Sequence, residues 1–274
     1  MSPAFDAPPT GLAEGGLAPF AALRQTGAIA GAELRKIWRD PTEIFSRSVQ
    51  PILWLLIFGQ VFARTHAIPT GRLDYLAFMT PGILAQSVLF TGIFYGIAII
   101  WERDLGIVHK LLVSPAFRGA LVLGKATTAG VRGIVQGVVI YAVAAILRVD
   151  LNLAPPAVLG VLLAIGVGGA IFATFSLIVA CLVKTRERFM GIGQVLTMPL
   201  FFASNAIYPV EIMPGWLRVV SRFNPLTYLV DIMRGLMVHG GRSELGFIHD
   251  AAVLGVVLVA LVAVAARLYP SVAR

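Results

Sequence analysis

Six long apolar runs, separated by stretches that hold most of the charge, restrict this chain more than any other feature. They are Val49–Ala63, Tyr75–Ile100, Ala126–Leu147, Ala157–Val183, Phe189–Ile207 and Ala251–Leu268. A helix needs about 20 apolar residues, within a range of about 17–25, to cross the hydrocarbon of a bilayer. The first run reaches that length by taking in Ile44 and Phe45 across Arg47, and the last by beginning near Phe247. The spans are therefore read as 45–63, 75–100, 126–147, 157–183, 189–207 and 249–268. Composition agrees, with 58% of residues apolar and 13% charged, against about 45–50% and about 25% in an ordinary soluble domain. The expected fold class is an all-α membrane protein with six transmembrane helices.

Residues 1–16 read as a disordered tail, rich in Pro, Gly and Ala. They carry Asp6 and Glu14 but no basic residue, the reverse of a secretory signal, so no cleaved signal is expected. Over 17–40, Leu23, Ala30, Leu34, Ile37 and Trp38 share one stripe at helical spacing, while Arg35, Lys36 and Arg39 collect near the end. That pattern predicts an interfacial helix on the cytoplasmic face, with a solvated linker as the alternative. Residues 17–274 form one membrane domain.

The net charge of +8 raises the question of nucleic acid. The basic residues do not gather in one stretch with interleaved aromatics, so that partner is excluded in favour of anionic headgroups of membrane lipid. With the N-terminus placed inside, fifteen Lys and Arg fall in the inner segments and seven in the outer ones, which predicts both termini in the cytoplasm. Two connections exceed simple loops. Trp101–Lys125 is expected to be cytoplasmic. Tyr208–His249 is expected outside; its apolar residues at helical spacing, broken at Asn224-Pro225, predict two short re-entrant helices before the last span.

Nothing here assembles a catalytic or metal site. Gly119–Lys125 has the spacing of a phosphate-cradling loop, but Ala126 replaces the Ser or Thr that holds magnesium and no strand precedes it. The four histidines lack metal-ligand spacing, and the single cysteine, Cys181, permits no intrachain disulfide. Gly133-x-x-x-Gly137 allows close helix contact but says nothing of substrate. No carboxylate falls inside the apolar runs, whereas ion-coupled carriers commonly keep an ionisable group at membrane depth. The energy source is expected elsewhere. Polar side chains within the second and fifth runs, Gln86, Thr91, Gln194, Thr197 and Asn205, are the candidate pathway lining; hydrogen bonding to a neighbouring helix fits them equally well.

Glu102-Arg103-Asp104-x-Gly106, then Leu111-Leu112-Val113-Ser114-Pro115, then Gly124-Lys125, resembles the cytoplasmic coupling segment of the type-2 ATP-binding-cassette (ABC) exporter permeases. The outer loop repeats the family's order with Tyr208-Pro209, Met213-Pro214-x-Trp216-Leu217, Asn224-Pro225-Leu226-Thr227-Tyr228 and Asp231-x-x-Arg234. The resemblance covers Leu17 to Arg267 and is nearest the drug-resistance permeases of the daunorubicin-exporter kind, with lipo-oligosaccharide exporters almost as similar. Ile107 after Gly106 departs from the polar residue usual there.

The resemblance implies a six-span permease of a bacterial plasma membrane, pairing with a second permease chain and with cytoplasmic ABC ATPase subunits. ATP and magnesium would bind in those partners; this chain would hold no cofactor and catalyse nothing. Glu102, Arg103, Asp104, Gly106, Leu111, Ser114 and Pro115 would form a coupling helix and its flanks, docked on the ATPase. Pro209, Pro214, Asn224, Pro225, Tyr228, Asp231 and Arg234 would build the re-entrant motif. An ion-coupled carrier and a non-transporting scaffold remain the rival readings.

Overall fold

A computed structural model describes residues 41–66, 68–105, 118–183 and 185–268. The expected tail and interfacial helix lie outside these residues, as do Gly106, Leu111, Ser114 and Pro115 of the coupling segment. The described chain is all-helical: among its residues the one β-type pairing is an isolated bridge, Leu151 to Val238.

The first apolar run begins as α1 (Pro41–Leu53), passes through a π-helical turn (Trp54–Gly59) and ends as α2 (Gln60–Thr65). The next four runs fall in α3 (Tyr75–Asp104), α4 (Arg118–Ile146), α5 (Pro155–Leu182) and α6 (Arg186–Phe202). A 3-10 turn (Val210–Ile212), α7 (Gly215–Phe223) and α8 (Pro225–Met237) precede α9 (Phe247–Leu268). Among the described residues four helices, α3, α4, α5 and α9, are long and apolar enough to cross a membrane.

Two boundaries depart from expectation. α4 begins at Arg118, so the Gly119–Lys125 segment lies within a helix and offers no loop to cradle phosphate. α6 has 17 residues and stops at Phe202 rather than 207. Beyond it the chain turns, with the Ser204 hydroxyl donating to Phe201 O at 2.7 Å and the Ala206 amide to Ser204 Oγ at 3.3 Å.

α3 is the hub, packing on α4, α5, α6 and α8. Its residues from Ala77 to Leu89 are buried without interruption, with Thr80, Gln86 and Ser87 among them. Glycines let its neighbours approach: a methyl on Gly82 would lie 2.4 Å from Ala206 O, and one on Gly92 would lie 2.6 Å from Phe172 Cβ. The Gly96 amide donates to Ser176 Oγ of α5 at 3.0 Å, and that hydroxyl donates back to Ile93 O.

The break between α7 and α8 follows from Asn224-Pro225. Proline disfavours helical backbone at the residue before it, and Asn224 is extended at φ −88°, ψ 114°. Its side chain then caps α8 by accepting from the Leu226 amide at 3.0 Å while donating to Leu200 O at 2.6 Å. At the far end of α8 the chain pairs with the α4–α5 connection, Asn152 N to Met237 O at 2.9 Å and His239 N to Asp150 O at 3.0 Å.

Gly82→Ala should cost about 1–3 kcal/mol, because a backbone carbonyl cannot move aside as a side chain can. Gly166→Ala, where a methyl meets nothing within 4 Å, should leave the unfolding temperature unchanged or slightly raised. Thermal unfolding of the two purified variants measures the contrast.

Candidate functional site

A cavity of about 680 Å³ lies between α1, α3 and α4. α3 contributes an aromatic wall of Phe90, Phe94, Tyr95 and Trp101, and polar groups enter from Gln86 and Thr91 of the same helix and from Arg132 and Gln136 of α4. The Gln136 amide donates to Ser48 Oγ on α1 at 3.2 Å, which pins α4 to α1 at the cavity wall. Arg186, at the start of α6, places its guanidinium 3.7 Å over the Trp101 ring, a cation–π contact. An aromatic chamber with a few polar groups has the make-up of a site for an amphipathic molecule.

Of the five candidate pathway residues, only Gln86 and Thr91 line this cavity. Thr197 is buried and its hydroxyl donates within its own helix, to Gly193 O. Gln194 sits on the exposed face of α6. Asn205 is buried in the turn after α6, where its backbone carbonyl accepts from Arg234. The five therefore do not share one surface. Runs of polar residues on two helices could not reveal which faces meet.

Glu102, Arg103 and Asp104 form the end of α3 rather than a separate loop. At about 1.5 Å per residue the 30 residues of α3 span ~45 Å, beyond the ~30 Å of hydrocarbon. A rigid helix thus carries these residues past the apolar layer.

The residues expected to build a re-entrant motif fall in and around α7 and α8. Arg234, 2% exposed, donates through Nη2 to Asn205 O at 2.6 Å and through Nε to Phe78 O at 3.3 Å, with its guanidinium 3.7 Å from the Phe78 ring centroid. One side chain thereby ties α8 to α3 and to the turn after α6. Tyr228 donates to Arg222 O at 2.6 Å, closing the α7–α8 corner that Asn224 and Pro225 begin. Pro209 is buried, and Pro214 is the residue preceding α7. Asp231 is buried and its Oδ2 accepts from the Leu245 amide and the Ser243 hydroxyl, each at 3.0 Å. In the adjoining loop, desolvation and then the Glu211 carboxylate raise the Glu244 carboxyl above its ordinary range.

This end of the molecule corrects the expectation that carboxylates stay outside the spans. Asp250 lies in the first turn of α9 and is fully buried, as is Asp231. Asp250 lies just before the apolar run that begins at Ala251, so the helix takes in at its end an acid that the run leaves out. Ser243, which touches both acids, had no signal in the sequence beyond its place in a polar loop.

Residues 24–238 match the family described as ABC-2 type transporter. The chain belongs to that family. A transport permease of Cyanophora paradoxa, ycf38, is 31% identical over 73% of this chain and 70% of its own length. The daunorubicin resistance ABC transporter permease protein DrrB1 of Streptomyces coeruleorubidus is 25% identical over 76% and 75%. Nodulation protein J of Rhizobium meliloti (strain 1021) is 28% identical over 71% and 74%. As an ABC-2 permease the chain is a multi-pass membrane protein with a transport role, and its family implies an ATP-binding-cassette partner.

Arg234→Lys should cost about 2–4 kcal/mol, since an ammonium cannot reproduce two directed bonds and a stacked plane at a buried site. Arg242→Lys, at an exposed position, should stay within about 0.5 kcal/mol. Unfolding temperatures of both variants in one detergent check this.

Proposed function

We propose that this ABC-2 permease exports an amphipathic or hydrophobic compound, of the drug class, using ATP hydrolysed on magnesium by a separate cytoplasmic subunit. The observation that carries the reading is the cavity of about 680 Å³ whose aromatic wall faces polar groups on α1 and α4. Aromatic faces accept varied apolar bodies, and the few polar groups orient one end of them. Kinship with a daunorubicin resistance permease favours this class. Kinship with nodulation protein J favours a second one, a lipid-linked oligosaccharide, for which the same cavity would seat the apolar part.

In this reading the helical path of α1, its π turn and α2, together with α3, α4, α5, α6 and α9, makes six spans of a bacterial plasma membrane, with both termini cytoplasmic and α7 and α8 re-entrant in the outer leaflet. α6, with 17 residues, is at the short limit for a span. Gln194, a polar amide on its exposed face, is costly against lipid and faces a second permease chain. Glu102, Arg103, Asp104, Gly106, Leu111, Ser114 and Pro115 meet the ATPase. A change in that subunit reaches the cavity along α3, which carries both Asp104 and Gln86.

Three outcomes are expected of the complex reconstituted with its ATPase. Phe94→Ala weakens half-maximal substrate stimulation of ATP hydrolysis roughly 5- to 30-fold, as loss of about 1–2 kcal/mol of ring contact requires. Glu102→Ala, Arg103→Ala and Gly106→Pro leave the protein inserted but uncouple hydrolysis from export; normal export in all three overturns the coupling assignment. In a Cys181→Ala background, His109→Cys resists an impermeant thiol reagent from outside, and labelling from that side reverses the topology.

A further inference from the structure

The Ser243 hydroxyl stands between two buried carboxyl groups on different helices. Its Oγ is 3.0 Å from Asp231 Oδ2 on α8 and 2.8 Å from Asp250 Oδ2 on α9. It also accepts from the Gly246 amide at 2.8 Å. A hydroxyl has one proton to donate. Given to Asp231, it leaves Asp250 Oδ2 facing a lone pair at hydrogen-bond distance; given to Asp250, it leaves Asp231 Oδ2 in that position. A second proton on one of the acids removes the conflict, because a carboxylic acid donates where a carboxylate can only accept.

A separate observation points the same way. Asp231 Oδ1 and Asp250 Oδ1 are both buried and have no hydrogen-bond partner among the described residues. Such an orphaned oxygen is far costlier on an ionised carboxylate than on a neutral acid. We propose that Asp231 and Asp250 share one proton, and that this proton fastens α9 to α8 through Ser243. Asp231 has a second donor in the Leu245 amide, which supports its charge, so the proton resides on Asp250. Asp250 then donates to Ser243 Oγ, and Ser243 donates to Asp231.

The charged and titratable surroundings leave that arrangement in place. On α8, Arg234 directs its hydrogen bonds to Asn205 O and Phe78 O, and the Tyr228 ring meets that of His249 at a tilt of 52°, with centroids 5.8 Å apart. On α9, His249 Nδ1 is 3.7 Å from Asp250 Oδ1, beyond hydrogen-bond reach, and its side chain is 57% exposed. Glu244 and Glu211 add negative charge from the loop and the 3-10 turn. α5, which packs on both helices, has no Asp, Glu, His, Lys or Arg over Pro155–Leu182. From α3, Tyr75 spends its hydroxyl on Ile207 O at 3.1 Å. Loss of the shared proton would set two anions against each other with one donor between them, and α9 would part from α8. The fastening therefore holds at low pH and weakens as pH rises, the direction for a group that binds its proton more tightly folded than unfolded.

The test is infrared spectroscopy of the full-length permease in lipid nanodiscs at neutral pH, with unfolding temperature followed against pH. Wild type should show the carbonyl stretch of a protonated carboxyl. That band should vanish in Asp250→Asn, whose amide still donates to Ser243, and move to higher frequency in Ser243→Ala, where the acid loses its acceptor. The wild-type unfolding temperature should fall as pH is raised, and Asp250→Asn should flatten that fall. Ser243→Ala keeps both acids and reports on the proton even where the Asn variant folds poorly. Identical carboxyl bands in wild type and Ser243→Ala, or a wild-type spectrum with no protonated carboxyl, would overturn the proposal.

Discussion

Lipid tails are as apolar as leucine, so helices in a bilayer gain little by hiding apolar side chains from their surroundings and associate through close contact and hydrogen bonding instead. α3 meets that constraint for the first span, α4, α5, α6 and α8. Gly82, Gly92 and Gly96 bring the Ala206 turn, α5 and Phe189 of α6 within contact of its backbone. The Ser176 hydroxyl adds a bond between α3 and α5 at the same level. Because so many elements touch one helix, α3 can serve both ends of the molecule: its last turn holds Glu102 to Asp104, its middle walls the cavity, and its first turns receive Arg234.

The two ends are built on opposite chemistry. Around the cavity, polar groups are sparse among rings, which leaves room for a guest. Around α7 and α8 the backbone leaves regular helix repeatedly, and irregular backbone near lipid survives only where its polar groups are bonded within the protein. Arg218 bonds the carbonyls of Val210, Glu211 and Met213, Asn224 serves Leu226 and Leu200, and Arg234 serves Asn205 and Phe78. These side chains act as stand-ins for the helix bonds that the turns give up.

Much of this was legible in the sequence wherever a pattern had one physical meaning. Apolar runs gave helices because length and composition leave no other use for them, and Asn224-Pro225 gave the break because proline removes a donor and a conformation. The Asp231-x-x-Arg234 spacing marked two side chains that the structure buries a turn apart. What stayed hidden depends on tertiary neighbours. Nothing local says that Gln194 points away from Gln86, that Asp250 enters the last helix buried, or that Ser243 folds back onto both acids. The end of α6 was overrun for a similar reason: Ala203, Ala206 and Ile207 extend the apolar run past Phe202, but the chain turns there and sets Ala206 against Gly82.

The π turn at Trp54–Gly59 sets the phase of the first span. An α-helix advances about 100° per residue, so positions four apart drift around the axis by about 40° at each step. A π turn closes its hydrogen bonds one residue later and drifts the other way. Pro51, Leu55 and Gly59, each four apart, accordingly stay on one buried line, and Gly59 still meets Leu76 at the start of α3. The turn works as a vernier that holds the buried line of the first span against α3. Ordinary winding over the same stretch would instead turn everything beyond it by roughly a quarter of a revolution, carrying the half-buried Phe62 and Ala63 of α2 off the core.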